Sequence, residues 1–143
     1  MTSFDQAVGS RVLALHQLIY EKSGGRIGER IGRAPMLLLR TTGRKSGLTR
    51  TAALLYHRDG GDYVVVGSKG GSDVAPAWVH NLEALPEVGV QVGVKRFAAK
   101  ARIASPDERR RLWPEMTRLW PQYDRYQSQT QREIPLVILS PTA

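Results

Sequence analysis

A glycine-bounded loop in the first third of the chain carries the residue types that bind an anion. Residues 41–47 read Thr-Thr-Gly-Arg-Lys-Ser-Gly, and Arg50 follows closely. Backbone amides, the Arg44 guanidinium, the Lys45 ammonium and the Ser46 hydroxyl can all converge there on a phosphate. The loop is not a Walker A motif, because no glycine precedes Lys45. The pattern predicts an anion site, and the alternative is an exposed basic hairpin tip.

A second glycine-rich loop stands at a strand end, just before a predicted helix. Residues 67–71 read Gly-Ser-Lys-Gly-Gly, so Ser68, Lys69 and Gly70 precede a helix N-terminus, an arrangement that can cradle phosphate. Because strands of an antiparallel meander end at shared rims, we predict that the two loops meet at one rim. Two unrelated turns are the alternative.

Aromatic side chains offer walls for a flat ring. Tyr123 and Tyr126 lie in a polar stretch close to Trp113 and Trp120, and Trp78 lies in a predicted helix. Phenol hydroxyls can donate hydrogen bonds to a substrate oxygen. Core packing is the alternative for all of them, and it is the interpretation we favour for Trp113.

The groups that would make a self-sufficient hydrolase or a metal enzyme are missing from the sequence. There is no GxSxG or GxGxxG motif and no paired-carboxylate motif, and cysteine is absent. His16, His57 and His80 stand far apart without metal-ligand spacing, so no metal site is predicted. A phosphate-bearing cofactor that brings its own reactivity is the simplest interpretation.

Positive charge is concentrated in one stretch of the chain. The formal net charge is +8, and residues 22–50 hold eight basic residues against the single acid Glu29. Such a field attracts phosphates, anionic lipids or nucleic acid, and a solvated basic face is the competing interpretation. Nucleic acid is not an expected partner, because the basic residues lie in glycine turns without interleaved aromatics.

Hydrophobic periodicity predicts the elements that position these residues. Strands are predicted over residues 36–42, 51–56, 63–66, 88–94, 97–103 and 135–139, with the first three in an antiparallel meander. Helices are predicted over residues 4–21, over 75–85, and from a capping box at Ser105 and Glu108, with a kink at Pro114. Residues 120–130 receive no regular element. About six strands with flanking helices indicate a mainly β fold, a closed or split antiparallel β-barrel.

The 143 residues suit a single globular domain. Within it, residues 1–33 are expected to form an N-terminal amphipathic helix and a basic linker, and residues 34–143 the coenzyme-binding barrel. The N-terminus lacks the plan of a signal peptide, and no long apolar run is present, so a cytoplasmic protein is expected. The helix over residues 4–21 either packs on the domain or makes peripheral contact at the inner face of the membrane.

Taken together, these motifs resemble the deazaflavin (coenzyme F420)-dependent nitroreductase family of actinobacteria. The residues that match in order and spacing are 41–47, Ser68-Lys69-Gly70-Gly71, Pro76-Ala77-Trp78 with Asn81-Leu82, 123–130 and Ile134-Pro135-Leu136-Val137. The match covers roughly residues 35–140. The resemblance implies a split β-barrel of the flavin-reductase and PNPOx-like type, in which reduced 8-hydroxy-5-deazaflavin delivers hydride from ring carbon C5 to a quinone or nitroaromatic acceptor.

The same resemblance implies roles for individual residues. The coenzyme's phosphate and oligoglutamate tail would be held by Arg44, Lys45, Arg50 and Lys69, with Ser46 in the same loop. The ring or linker would be lined by Ser68, Gly70, Trp78 and Asn81, and the acceptor would meet Tyr123 and Tyr126 as catalytic residues. Trp120 and Leu55 depart from the family pattern, because they replace tyrosines of the members that activate nitroimidazole prodrugs.

Two other functions remain open from the sequence. One is an oxidoreductase that uses flavin mononucleotide (FMN) on the same barrel, and the other is a non-catalytic protein that binds deazaflavin or another anion. Either a monomer or a homodimer is compatible with the sequence.

Overall fold

The computed structural model describes residues 30, 31 and 34–142 of the chain. The predicted helix over residues 4–21 lies outside the described residues. The strands are β1 (Arg30–Ile31), β2 (Ala34–Thr42), β3 (Thr49–Leu55), β4 (His57–Asp59), β5 (Asp62–Val66), β6 (Glu87–Val92), β7 (Lys95–Ile103) and β8 (Leu136–Pro141). The helices are α1 (Ala77–Ala84), α2 (Pro106–Leu119) and α3 (Gln122–Ser128), and a 3-10 turn covers Lys69–Gly71.

The strands form one curled antiparallel sheet. Its pairing order runs β1, β2, β6, β7, β8, β5, β4, and β3 pairs with β2. Only Tyr56 separates β3 from β4, so the segment of residues 49–59 connects β2, next to one end of this order, to β5, next to the other end. The predicted split barrel is confirmed.

Two details of the predicted strands need correction. In the structure, the predicted second strand of the meander bends at Tyr56. The Tyr56 backbone N–H donates a hydrogen bond to the carbonyl of Pro35 at 3.1 Å. Because of the bend, that strand pairs with β2 before Tyr56 and with β5 after it. The predicted linker over residues 1–33 also contains a short strand, since Arg30 and Ile31 pair with the start of β2.

Both faces of β2 are buried, which explains its uninterrupted apolar run at residues 36–39. Met36 and Leu38 belong to one apolar cluster, and Leu37 and Leu39 belong to the other. Alternation along the strand sends these pairs to opposite faces of the sheet. Helices α2 and α3 pack on the first cluster, and α1 packs on the second.

The C-terminal helices are joined to each other by side-chain contacts. Helix α2 begins at the predicted capping box, with Ser105 and Glu108 each accepting a hydrogen bond from the other's backbone N–H, and it continues through Pro114 as one element. Residues 120–130 contain α3, which was not predicted. The Trp113 indole N–H donates to Asp124 at 2.8 Å, and Tyr123 is buried in the first cluster. Helix α3 therefore depends on tertiary packing.

Across residues 30–31 and 34–142, no helix is both long and apolar enough to span a membrane.

Candidate coenzyme-binding site

The hairpin between β2 and β3 builds the first predicted anion loop. The Gly43 N–H donates to the carbonyl of Leu48 at 2.7 Å, and the Gly47 N–H donates to the carbonyl of Gly43 at 2.8 Å. The Ser46 hydroxyl accepts from the Leu48 N–H at 3.1 Å. A Cβ atom at Gly43 would stand 2.6 Å from the Ser46 oxygen and 3.2 Å from the Leu48 carbonyl. Glycine at position 43 therefore permits this tight closure.

Helix α1 holds this loop from the side through Asn81. The Asn81 amide nitrogen donates to the Thr41 hydroxyl at 3.3 Å, and its oxygen accepts from the backbone N–H of Arg44 at 3.1 Å. Asn81 is only 3% exposed. Both the oxygen and the nitrogen of its buried side-chain amide therefore make hydrogen bonds, and they fix the loop backbone at Arg44, the first basic residue of the loop.

A groove of about 350 Å³ opens between this loop and α1, and ten residues line it. Basic and polar residues of the lining are Arg44, Lys45, Ser46, Arg50, Thr51 and Asn81, and the others are Gly43, Ala52, Ala77 and Trp78. Arg44, Lys45 and Arg50 are exposed, whereas Trp78 is mostly buried. The lining contains three cations and no carboxylate. It suits an anion attached to a flat apolar group.

Six of the predicted cofactor residues meet in this groove: Arg44, Lys45, Ser46, Arg50, Trp78 and Asn81. Ser68, Lys69 and Gly70 are not part of its lining. Their loop is connected to the groove through α1. Residues 72–76 lead from the loop into this helix, where Ala77 and Trp78 lie, and a Cβ atom at Gly67 would stand 2.8 Å from the Val79 side chain.

The loop of residues 67–72 packs instead against α3. Lys69 has a positive φ of 47°, and Gly71 has a φ of 82°. A Cβ atom at Gly71 would lie 2.9 Å from the Cα of Tyr126 and 2.7 Å from the side-chain oxygen of Gln129. The backbones of the loop and the helix are thus in direct contact, and position 71 requires glycine.

Arg132 ties the same loop to the segment after α3. Its Nε donates to the carbonyl of Ser72 at 2.8 Å, and its Nη2 donates to the carbonyls of Gly67 at 3.2 Å and Ser68 at 2.9 Å. Burial lowers the pKa of Arg132. The sequence reasoning missed this residue, because a single arginine in a polar segment carries no motif.

The two predicted catalytic tyrosines lie together on α3, outside the groove lining. Tyr123 is 6% exposed and packs against Trp113 and Tyr126. Burial raises its pKa well above the usual value, so the phenol stays protonated. Tyr126 is half-buried, and its hydroxyl accepts from the Trp120 indole N–H at 3.4 Å. A phenol that accepts through a lone pair still has its own proton to donate.

Within the described part of the chain, no three histidine, aspartate or glutamate side chains gather as metal ligands. Leu55, one of the two departures from the family pattern, is buried in the first apolar cluster.

Comparison with known proteins decides the family. A family model described as F420H(2)-dependent quinone reductase matches residues 12–141. The chain belongs to this family. An F420H(2)-dependent quinone reductase of Mycobacterium tuberculosis is 44% identical over 140 residues, which are 95% of this chain and 94% of that protein. The resemblance to the deazaflavin-dependent family is confirmed, and the FMN alternative is not supported.

Solved structures agree with this family and with the fold. The structure of an F420-H2 dependent reductase superposes with a TM-score of 0.69 at 38% identity, covering 74% of this chain and 94% of that one. A structure described as a domain-swapped dimer gives a TM-score of 0.71 at 32% identity, covering 92% and 99%. A pyridoxamine 5'-phosphate oxidase from Listeria innocua, at 12% identity and a TM-score of 0.54, covering 76% of this chain and 84% of that one, shows the fold alone.

Proposed function

We propose that this member of the family reduces quinones with F420H2, which binds in the groove beside α1. The observation that carries the proposal is the groove itself, in which three cations face an apolar wall around the buried Trp78. The bound coenzyme supplies the hydride, and the protein supplies binding, orientation and electrostatics.

The exposed cations of the groove are suited to the charged part of the coenzyme. Arg44, Lys45 and Arg50 would hold its phosphate and oligoglutamate carboxylates, because hydrogen bonds between ionised partners are the stronger kind. Hydrogen bonds from Asn81 keep the backbone beneath these side chains in place. Trp78 would contact the ring or the linker through its apolar surface.

The tyrosines of α3 are suited to the acceptor. Tyr126 would donate its proton as a hydrogen bond to the quinone oxygen that gains charge, while its oxygen accepts from Trp120. The Tyr123 phenol keeps its proton because burial raises its pKa, and it would act as a second hydrogen-bond donor to the acceptor. Nitroaromatic compounds, whose oxygens also gain charge on reduction, are proposed as a second acceptor class. Ser68, Lys69 and Gly70 would contact the coenzyme from the loop between these two regions.

A binding titration tests the proposal directly. Fluorescence of F420 and of FMN is followed at fixed salt with the wild type, Lys45→Gln, Arg50→Gln and the control Lys95→Gln, an exposed lysine outside the groove. Each groove variant should weaken F420 binding by about tenfold, the value of one charged hydrogen bond. The control should bind F420 like the wild type.

The outcomes separate the competing functions. Selective F420 binding followed by quinone reduction supports the proposal, and preference for FMN contradicts it. Tight F420 binding without turnover of quinones or nitroaromatics indicates a non-catalytic binding protein. Equal affinity in the groove variants and the control places the coenzyme elsewhere.

A further inference from the structure

We propose that Arg132 is a positioning residue that holds residues 67–72 against α3. The proposal has a second part, which rests on the proposed function. By holding this loop, Arg132 sets how the coenzyme and the acceptor are positioned relative to each other. Its guanidinium donates to three backbone carbonyls of this one loop, at Gly67, Ser68 and Ser72. These partners lie 60 to 65 residues away in sequence, so the contacts tie two distant segments together.

The carbonyl contacts also fix the direction of the loop amides. In a trans peptide the C=O and N–H bonds point in opposite directions. Because the carbonyls of Gly67 and Ser68 face Arg132, the N–H groups of Ser68 and Lys69 point away from it. Lys69 adopts a left-handed conformation that non-glycine residues avoid, so this shape needs contacts outside the loop to hold it.

The backbone of Arg132 is itself held by the helices. The Gln127 amide nitrogen donates to the carbonyl of Arg132 at 2.8 Å, and the Gln127 oxygen accepts from Arg109 at 2.9 Å and from the Ile134 N–H at 2.8 Å. The guanidinium therefore extends from a backbone that α2 and α3 keep in place. A side chain on a fixed base holds a loop more firmly than one on a mobile segment.

The loop in turn contacts the proposed acceptor site. Gly71 packs against the backbone of Tyr126, and the next residues of the loop lead into α1 and the groove. A loop released by loss of Arg132 would therefore disturb Tyr126 and the approach to the groove together. Arg132 does not line the groove, so it would act through the loop rather than by touching the coenzyme.

Hydrogen exchange of individual amides tests the first part of the proposal without any ligand. The N–H groups of Gly71 and Ser72 donate to the carbonyls of Ser68 and Lys69 within the loop. In Arg132→Ala they should exchange at least about tenfold faster, as expected when a local contact set is lost. The matched control is Arg110→Ala, which removes an exposed arginine paired with Asp107 on α2. It should leave both amides unchanged.

Turnover tests the second part. Arg132→Ala should lower kcat by about tenfold or more. The Kd for F420 should rise by less than the tenfold expected of a groove variant, because the contacts of Ser68, Lys69 and Gly70 are disturbed while the groove cations stay intact. Added guanidinium ion should restore part of the activity of Arg132→Ala, because it can donate to the same three backbone carbonyls. The single ammonium of Arg132→Lys cannot bind all three carbonyls as the guanidinium does, so the Gly71 and Ser72 amides should exchange faster than in the wild type but more slowly than in Arg132→Ala. This variant replaces Arg132→Ala in the experiment if the alanine variant does not fold.

Unchanged exchange at Gly71 and Ser72 would overturn the proposal. So would a uniform increase that includes core amides such as Val137, because that pattern reports global destabilisation. If the wild type binds no F420, the proposed function fails, and the exchange result still decides whether Arg132 holds the loop.

Discussion

Replacing Asn81 by aspartate should weaken coenzyme binding while preserving the fold. A carboxylate has nearly the shape of the carboxamide and can accept from the Arg44 N–H. The Thr41 hydroxyl, which now accepts from Asn81, can rotate and donate instead. Both contacts are therefore kept, and one negative charge is added to the wall of the groove at a position that is 3% exposed.

The size of the effect follows from Coulomb's law. With an effective dielectric constant of about 20, a phosphate bound about 7 Å from the new carboxylate would be repelled by roughly 2 kcal/mol. Repulsion of that size between the new carboxylate and the coenzyme's phosphate raises the Kd by about thirtyfold. The increase in Kd should become smaller as pH falls through the pKa of the introduced carboxyl group, because the neutral acid does not repel an anion.

The assay is a fluorescence titration of F420 at fixed salt and neutral pH, beside thermal unfolding. Ala84→Glu is the matched control, since it adds the same charge on the same helix at an exposed position outside the groove lining. Solvent screening there should keep the change in Kd below about twofold. Asn81→Ala, which loses both hydrogen bonds, should lower Tm as well as affinity.

Two results would refute this reasoning. A Kd within twofold of the wild type in Asn81→Asp, with Tm unchanged, would mean that no anionic part of the coenzyme lies near this wall. A large loss of stability in the same variant would mean that Thr41 and Arg44 cannot adapt to a carboxylate. Both conclusions can be drawn before any acceptor is identified.

Three further predictions concern stability and turnover. Gly71→Ala places a Cβ atom 2.9 Å from the Cα of Tyr126 at a φ of 82°, so the free energy of unfolding should fall by about 1–3 kcal/mol in a denaturant titration, and an unchanged value would contradict the packing. The hydrogen bond from Arg102 lowers the pKa of Glu108 from 4.5 to about 2. The pair therefore stabilises the fold by about 1 kcal/mol above pH 5, after solvent screening, and this stabilisation is lost as pH falls toward 2. Glu108→Gln should flatten this part of the plot of unfolding free energy against pH. Tyr126→Phe should lower kcat for quinone reduction by about tenfold or more with the Kd for F420 unchanged, and a loss of coenzyme affinity instead would place this phenol at the coenzyme.

Most of the strands and the tight basic loop could be predicted because their signals are local. Four apolar residues in a row, a glycine at position 43 and a capping box at Ser105 each act through neighbours within a few positions. The groove brings together the predicted cofactor residues of the first loop, the start of β3 and α1. Asn81 was predicted to line the coenzyme's ring or linker, which stays a prediction, and its hydrogen bonds show that it holds the first loop.

Other features depend on distant contacts and could not be predicted. The loop of residues 67–71 resembles the first loop in composition, yet it packs on α3, because Gly71 meets the backbone of Tyr126. Helix α3 itself has a polar sequence, and buried contacts of Tyr123 stabilise it. Arg132 carries no motif, and its partners stand at least 60 residues away.

The amino-acid sequence by itself determined the family, the barrel and the presence of a basic glycine loop, since these follow from local patterns and from motifs in order along the chain. Only the tertiary structure decided which loop lines the groove, that Tyr123 is buried while Tyr126 is half-buried, and that Arg132 donates hydrogen bonds to the second loop. The physical reason is that these outcomes depend on which backbones touch across the folded chain, and short-range hydrogen-bonding and packing preferences do not contain that information.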